Sequence, residues 1–175
     1  MTGNIVYANR NFLPFFLAGN VPEFGSKTKN YGDWNQDYII DGQGVYITRN
    51  MDYEGTFNLE NNIAFDNGIN GLSVQKTTNP KVTVNVFNNR IFDNGSTTKD
   101  VEHRQSAGGL AINSGSATAY VLLKNNKVTT DVSGDSTYRC YGKCHLLDES
   151  TNNTVCGGEP SSQLSSKAFV KKDCN

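Results

Sequence analysis

The stretch NNIAFDNGINGLSVQK at residues 61–76, followed by NNRIFDNG at 88–95, decides the fold. Each copy writes an Asn pair, a short apolar run and then Asp-Asn-Gly. A single copy reads as a turn. Two copies within 35 residues read as a repeat, and a repeat sets the architecture before any single residue does.

Working outward from that stretch, three patterns recur. The first starts at Asn4 (NIVYAN), Asn62 (NIAFDN), Asn89 (NRIFDN) and Asn126 (NKVTTD). The second is Gly followed by alternating apolar residues, at Gly44 (GVYI), Gly71 (GLSV) and Gly109 (GLAI). The third is an alternating strand leading into the Asn pair: FNLENN, VTVNVFNN and YVLLKNN. Gly44 to Gly71 spans 27 residues, and so does Asn62 to Asn89. Three short strands separated by turns fill that length, which is one rung of a parallel β-helix. Alternation points Val45, Ile47, Leu72, Val74, Leu110 and Ile112 inward. Asn tolerates the left-handed backbone of tight corners, and equivalent Asn residues can hydrogen-bond from rung to rung. Tyr7, Phe65 and Phe92 share one offset and are expected to stack.

Insertions fall at one corner. Asn67 to Gly71 is 4 residues, Asn94 to Gly109 is 15, and Asn9 to Gly44 is 35. From each Gly to the next repeat Asn the chain keeps to 17 or 18 residues. The spacing therefore predicts rungs over 1–132, with long loops at 10–43 and 95–108. Loops confined to one corner of a repetitive scaffold are where a site is built.

The outward positions on the adjoining strands are Tyr46, Thr48, Ser73, Gln75, Ala111 and Asn113. Arg49 and Lys76 each stand five residues after their Gly and are expected one above the other. Two stacked cations suit a carboxylate-bearing ligand; otherwise they splay into solvent. The first loop, YGDWNQDYIID at 31–41, carries Trp34, which can stack on a sugar ring or anchor the loop. It also carries Asp33, Asp37 and Asp41, candidate ligands for Ca2+. Tyr38 and Gly44 stand where an EF-hand needs Gly and Glu, so this is not an EF-hand. The second loop supplies His103, a candidate general base, and Arg104 as a substrate contact. Neither G-x-S-x-G, H-E-x-x-H nor a P-loop occurs, which removes support for those chemistries.

Composition agrees with a turn-rich β protein: Asn occurs 23 times and Gly 17 times in 175 residues. A net charge of −1 gives no global attraction to nucleic acid. The longest apolar run, FLPFFLA at 12–18, is too short to span a bilayer and contains Pro14. Cys140, Cys144, Cys156 and Cys174 all lie late; they suggest two disulfides, with three pairings open, in a C-terminal cap over 133–175. No signal peptide is visible at the N-terminus. The disulfides and the sequons at Asn94 and Asn152 nevertheless suggest an extracellular glycoprotein, its signal removed or the chain a fragment.

The segments GNIVYANRNFLPFF, IIDGQGVYITRN, NLENNIAFDNGINGLSVQK and VTVNVFNNRIFDNG resemble the pectate-lyase-like superfamily of right-handed parallel β-helix proteins over roughly residues 3–130. The resemblance implies a right-handed solenoid of about four rungs that acts on or binds an acidic, uronate-bearing polysaccharide. Lyase-like chemistry would use a cation or Arg on the carboxylate and a Lys, Arg or His on the adjacent proton. Arg49, Lys76 and His103 are the right types, with Trp34, Tyr46, Gln75 and Arg104 as substrate contacts. The alternative is a non-catalytic glycan-binding or structural module. The open N-terminal end is expected to meet a protein partner or missing rungs.

Overall fold

Asn at two successive positions turns the chain because the two residues do different work. The first of each pair takes the left-handed backbone: Asn61, Asn88, Asn125 and Asn152 have φ between 56° and 58°. The second turns its side chain inward and is buried: Asn62, Asn89, Asn126 and Asn153 are at most 1% exposed. Gly3, at φ 68°, plays the first role ahead of Asn4. At a second corner Ala8, Asp66 and Asp93 take the left-handed position before Asn9, Asn67 and Asn94.

The computed structural model describes residues 1–9, 43–48, 52–68, 70–75, 82–94, 109–112, 118–129, 137–140, 142–160, 162–164 and 167–173. Between the corners run short strands, in chain order β1 (Ile5–Tyr7), β2 (Val45–Thr48), β3 (Thr56–Glu60), β4 (Ile63–Phe65), β5 (Leu72–Gln75), β6 (Thr83–Phe87) and β7 (Arg90–Phe92). They continue as β8 (Leu110–Ile112), β9 (Thr118–Lys124), β10 (Lys127–Thr129), β11 (Tyr138–Cys140), β12 (Lys143–Leu146), β13 (Asn153–Cys156) and β14 (Phe169–Lys171). A 3-10 turn, Ser162–Leu164, follows β13.

The strands stack into three parallel sheets. One is ordered β1-β4-β7-β10-β13-β14, the second β2-β5-β8-β11 and the third β3-β6-β9-β12. Apart from the final pair β13–β14, each strand pairs with strands a rung away rather than with its chain neighbour, so the molecule is all-β and β-helix-like. The 27-residue spacing is seen directly, with Val45 opposite Leu72 and Thr56 opposite Thr83. The stacking does not stop at residue 132. β11 pairs with β8, β12 with β9 and β13 with β10, so the cysteine-containing segment forms a further rung. Asn153 stands 27 residues after Asn126 and occupies the same corner.

Period-2 alternation sends one column from each strand into a shared core. Val6, Ala64, Ile91, Val128 and Val155 form one such column. Leu72, Leu110 and Tyr138 form another, and Leu59, Val86 and Leu123 a third, all fully buried. The repeated Gly is a packing requirement. A Cβ on Gly71 would lie 2.4 Å from Ile91 Cγ2, and one on Gly109 would lie 2.0 Å from Val128 Cγ1. Both contacts cross from the β2 sheet to the six-stranded sheet, so the corner closes only without a side chain.

The buried asparagines form a continuous ladder. Asn62 donates from both its backbone N–H and Nδ2 to Asn89 Oδ1, each at 2.9 Å. Asn89 does the same to Asn126 at 3.0 Å, and Asn126 to Asn153 at 3.2 and 2.9 Å. Asn89 Nδ2 also reaches the carbonyls of Leu59 and Phe87. A shorter ladder, Asn9 to Asn67 to Asn94, runs up the second corner. Tyr7, Phe65 and Phe92 stack as expected, with centroids 5.1 Å apart and planes within 4°.

Two features close the C-terminal rung. Cys140 and Cys144 are joined, tying β11 to β12 across a corner. Cys156 is also disulfide-bonded, while Cys174 lies outside the described residues. Tyr138 fills the core, its ring edge-on to Phe169 at 4.8 Å. Its hydroxyl donates toward the carbonyls of Asn126 and Thr154. Burial holds this phenol well above its ordinary titration range.

Three outcomes are expected from this packing. Asn89→Ala leaves the Asn62 donors and the Leu59 carbonyl without their partner, and urea unfolding should show a loss of about 3 kcal/mol or more. Ala8→Gly relieves a left-handed alanine and should raise stability by about 0.5–1 kcal/mol in the same assay. Tyr138 is protonated in the fold at pH values where the unfolded chain ionises. Stability should therefore hold below pH ~10 and fall as pH rises through and above it, a loss that Tyr138→Phe should blunt in a melting series against pH.

Candidate functional site

The β2 sheet places Tyr46, Thr48, Ser73 and Gln75 on its outer side by simple alternation. Their neighbours Val45, Leu72 and Val74 are buried in the core. Tyr46 lies opposite Ser73, and Thr48 opposite Gln75. Tyr46 is 46% exposed, and its hydroxyl donates toward Gln75 Oε1 at 3.4 Å. Gln75 Nε2 donates to Ser73 Oγ at 2.8 Å. The outcome is a short polar relay, hydroxyl to amide to hydroxyl, with an aromatic face beside it.

Sequence reasoning could not anticipate the burial of this row. Ser73 and Ala111 occupy outward positions yet are fully buried. The outer face is thus closed at the row Tyr46–Ser73–Ala111 beyond Tyr46, and open at the Tyr46 and Gln75 side chains. A ring with a fixed hydroxyl and a neutral amide can hold a sugar by stacking and hydrogen bonding. Neither group supplies a positive charge for a carboxylate, and neither is a strong base. That chemistry would need Arg49, Lys76 or His103.

Of the residues singled out from the sequence, the structure brings Tyr46 and Gln75 together. Trp34, Arg49, Lys76, His103 and Arg104 lie outside the described residues, as do Asp33, Asp37 and Asp41. Arg49 and Lys76 follow Thr48 and Gln75 directly in the sequence. Among the described residues, no group of three or more His, Cys, Asp and Glu side chains could hold a metal ion. Among them, too, no helix is long and apolar enough to cross a membrane.

The outer side of the β3 sheet carries other polar groups. Asn85 Nδ2 donates to Asn58 Oδ1 at 2.9 Å, and the ring of Tyr120 meets His145 edge-on at 5.4 Å. His145 is exposed rather than packed into the tail. Asn85 Oδ1 is buried without a partner among the described residues, where the next rung places Leu122 opposite Asn85.

Comparison with known protein families, with curated proteins and with solved structures finds no match.

The two sequons differ sharply in their surroundings. Asn94 is 2% exposed. Its Oδ1 accepts from Asn67, and its Nδ2 donates to the carbonyls of Ala64 and Phe92. A glycan on Nδ2 would break that ladder, so the reading of Asn94 as a glycan acceptor does not fit the fold. Asn152 is exposed at its left-handed turn. Expression through a glycosylating secretory pathway should therefore give glycan at Asn152 and none at Asn94, read by peptide mass spectrometry.

Proposed function

We propose that this chain is a right-handed parallel β-helix of an extracellular protein. Its outer β2 face binds an acidic, uronate-bearing polysaccharide. The observation that carries the reading is the Tyr46–Gln75–Ser73 relay, an exposed ring with its hydroxyl tied to an amide. The sequence places Arg49 and Lys76 immediately after the Thr48–Gln75 pair. A sugar ring on Tyr46 would thus have cations nearby for its carboxylate. Trp34 and Arg104 would add contacts from the two loops. The C-terminal disulfides agree with an oxidising compartment.

If the chain is also catalytic, the reaction that suits these residue types is β-elimination. Arg49, or Ca2+ held by Asp33, Asp37 and Asp41, would neutralise the uronate carboxylate. Lys76 or His103 would take the proton from the carbon beside it. The electron pair would form the new double bond as the glycosidic C–O bond breaks. The non-catalytic alternative, a glycan-binding or structural module, keeps the same face and omits the proton transfer.

The test is binding first and chemistry second. Affinity electrophoresis in gels containing pectate or alginate should retard the protein, and Tyr46→Ala should weaken binding about tenfold, or about 1.4 kcal/mol. Ultraviolet absorbance from the unsaturated sugar, with and without calcium, then separates a lyase from a binder. A rise lost in Lys76→Ala or Arg49→Ala supports the lyase. Retardation without a rise supports the module. No retardation on any uronate polymer would refute the polysaccharide reading.

A further inference from the structure

Arg90, Lys124 and Lys127 gather at the corner that the β2 sheet does not touch, where β6 turns into β7 and β9 into β10. The stacking sets Phe87, Asn88 and Arg90 against Lys124, Asn125 and Lys127, with Phe87 opposite Lys124 and Arg90 opposite Lys127. Arg90 and Lys127 are exposed and point out of the six-stranded sheet, since their neighbours Ile91 and Val128 are buried. Lys124 points out of the β3 sheet beside the buried Leu123, and its Nζ lies over the Phe87 ring, 6.0 Å from the centroid. The adjoining rungs carry no cation at these positions. Glu60 and Ile63 stand there one rung earlier, and Thr151 and Thr154 one rung later.

Arg90 and Lys127 stand one rung apart, a backbone separation of about 4.8 Å. Like charges placed directly opposite each other repel. Among the described residues, no acidic side chain lies within ion-pair distance of Arg90, Lys124 or Lys127 to offset that repulsion. Glu60 is two rungs from Lys124, with Phe87 between them. A neutral donor occupies the same corner. Asn125 Nδ2 donates to Asn88 Oδ1 at 3.2 Å, which leaves Asn88 Nδ2 with no acceptor among the described residues. The whole chain has a net charge of −1, so this positive ridge is a local feature that calls for an anion of its own.

We propose that this corner is a binding site for a sulfate ester carried on a polysaccharide chain. Its donors are the planar fork of Arg90 and the two point charges of Lys124 and Lys127, with the Asn88 amide between them. They approach from two sheets and two rungs. A tetrahedral oxyanion, with three free oxygens facing different ways, can accept from all of them. A planar carboxylate has two oxygens and is satisfied by one Arg fork, so it makes less use of the arrangement. An anion held between Arg90 and Lys127 also turns their repulsion into two attractions. The polymer lies along the corner, outside the strands, and asks no rearrangement of the fold. The site shares no residue with the Tyr46–Gln75–Ser73 relay and stands independently of what that face binds.

The probe is dextran sulfate, with unsulfated dextran as its control, titrated into the full chain by calorimetry. Saturable binding to the sulfated polymer alone is expected, weakening as salt rises. The double variant Arg90→Gln, Lys127→Gln should bind about tenfold more weakly or worse. Its urea midpoint should not fall, because the change removes a repulsion. The pair Lys143→Gln, Lys172→Gln takes the same charge from exposed positions off this corner and should bind as the parent does. Absence of binding would overturn the proposal. So would equal binding by the corner variant, or an equal loss in the Lys143, Lys172 pair, which would make the attraction diffuse. Polygalacturonate or phosphatidylserine vesicles that bind as tightly as dextran sulfate, with the same loss in the corner variant, would assign the corner to carboxylate or to lipid and overturn it too.

Discussion

A carboxamide inside an apolar core is costly unless every hydrogen and lone pair finds a partner. The ladder at the β3-to-β4 type corner meets that condition by repetition. From Asn62 to Asn153, each Oδ1 takes two hydrogens from the rung before, and each Nδ2 serves the rung after and a nearby carbonyl. The turn brings the backbone of these corners into the interior, where strand pairing cannot reach all of it. The side chain substitutes for the missing strand. It also fixes register, since a slip by one residue would send the amide outward and an apolar neighbour into its place. The aligned columns of Val, Leu and Ile depend on that.

The rest of the cross-section follows from closing three sheets around one core. Gly71 and Gly109 stand where the β2 sheet meets the six-stranded sheet, and the facing Ile91 and Val128 leave no volume for a side chain. In the last rung the same position is Thr137, fully buried, with no partner for its hydroxyl among the described residues. There the chain turns to different means: the Cys140–Cys144 link across the next corner, and a tyrosine that reaches across the core to two carbonyls. With the interior occupied in this way, ligand chemistry is left to the outer columns and to the loops. Tyr46 and Gln75 belong to the outer columns.

The columns were legible in the sequence because they are periodic. The alignment on Asn4, Asn62, Asn89 and Asn126 identified the ladder, and the shared offset of Tyr7, Phe65 and Phe92 identified the stack. The further rung is less legible even though Asn153 keeps the 27-residue step. Its strand ends in Cys156 where the first three copies have an aromatic residue, and Thr137 replaces the marker Gly. The sequon at Asn94 misled for the opposite reason: a three-residue signal carries no information about burial, and this Asn belongs to the second ladder. Binding residues are harder still. They do not repeat, and whether an outward residue such as Ser73 meets solvent depends on what covers the face, which alternation cannot reveal.

Ladder partners are 27 residues apart at Asn62–Asn89, 37 at Asn89–Asn126 and 58 at Asn4–Asn62, yet all three links have nearly the same length. Distance along the chain and distance in space are uncoupled at this corner. Closure entropy grows only with the logarithm of loop length, so a 58-residue link costs about 0.7 kcal/mol more than a 27-residue one. That is less than a single well-made hydrogen bond can return. Evolution can therefore lengthen, shorten or exchange the excursion between one rung and the next almost freely. It can accumulate new recognition chemistry there while the frame beneath keeps its shape.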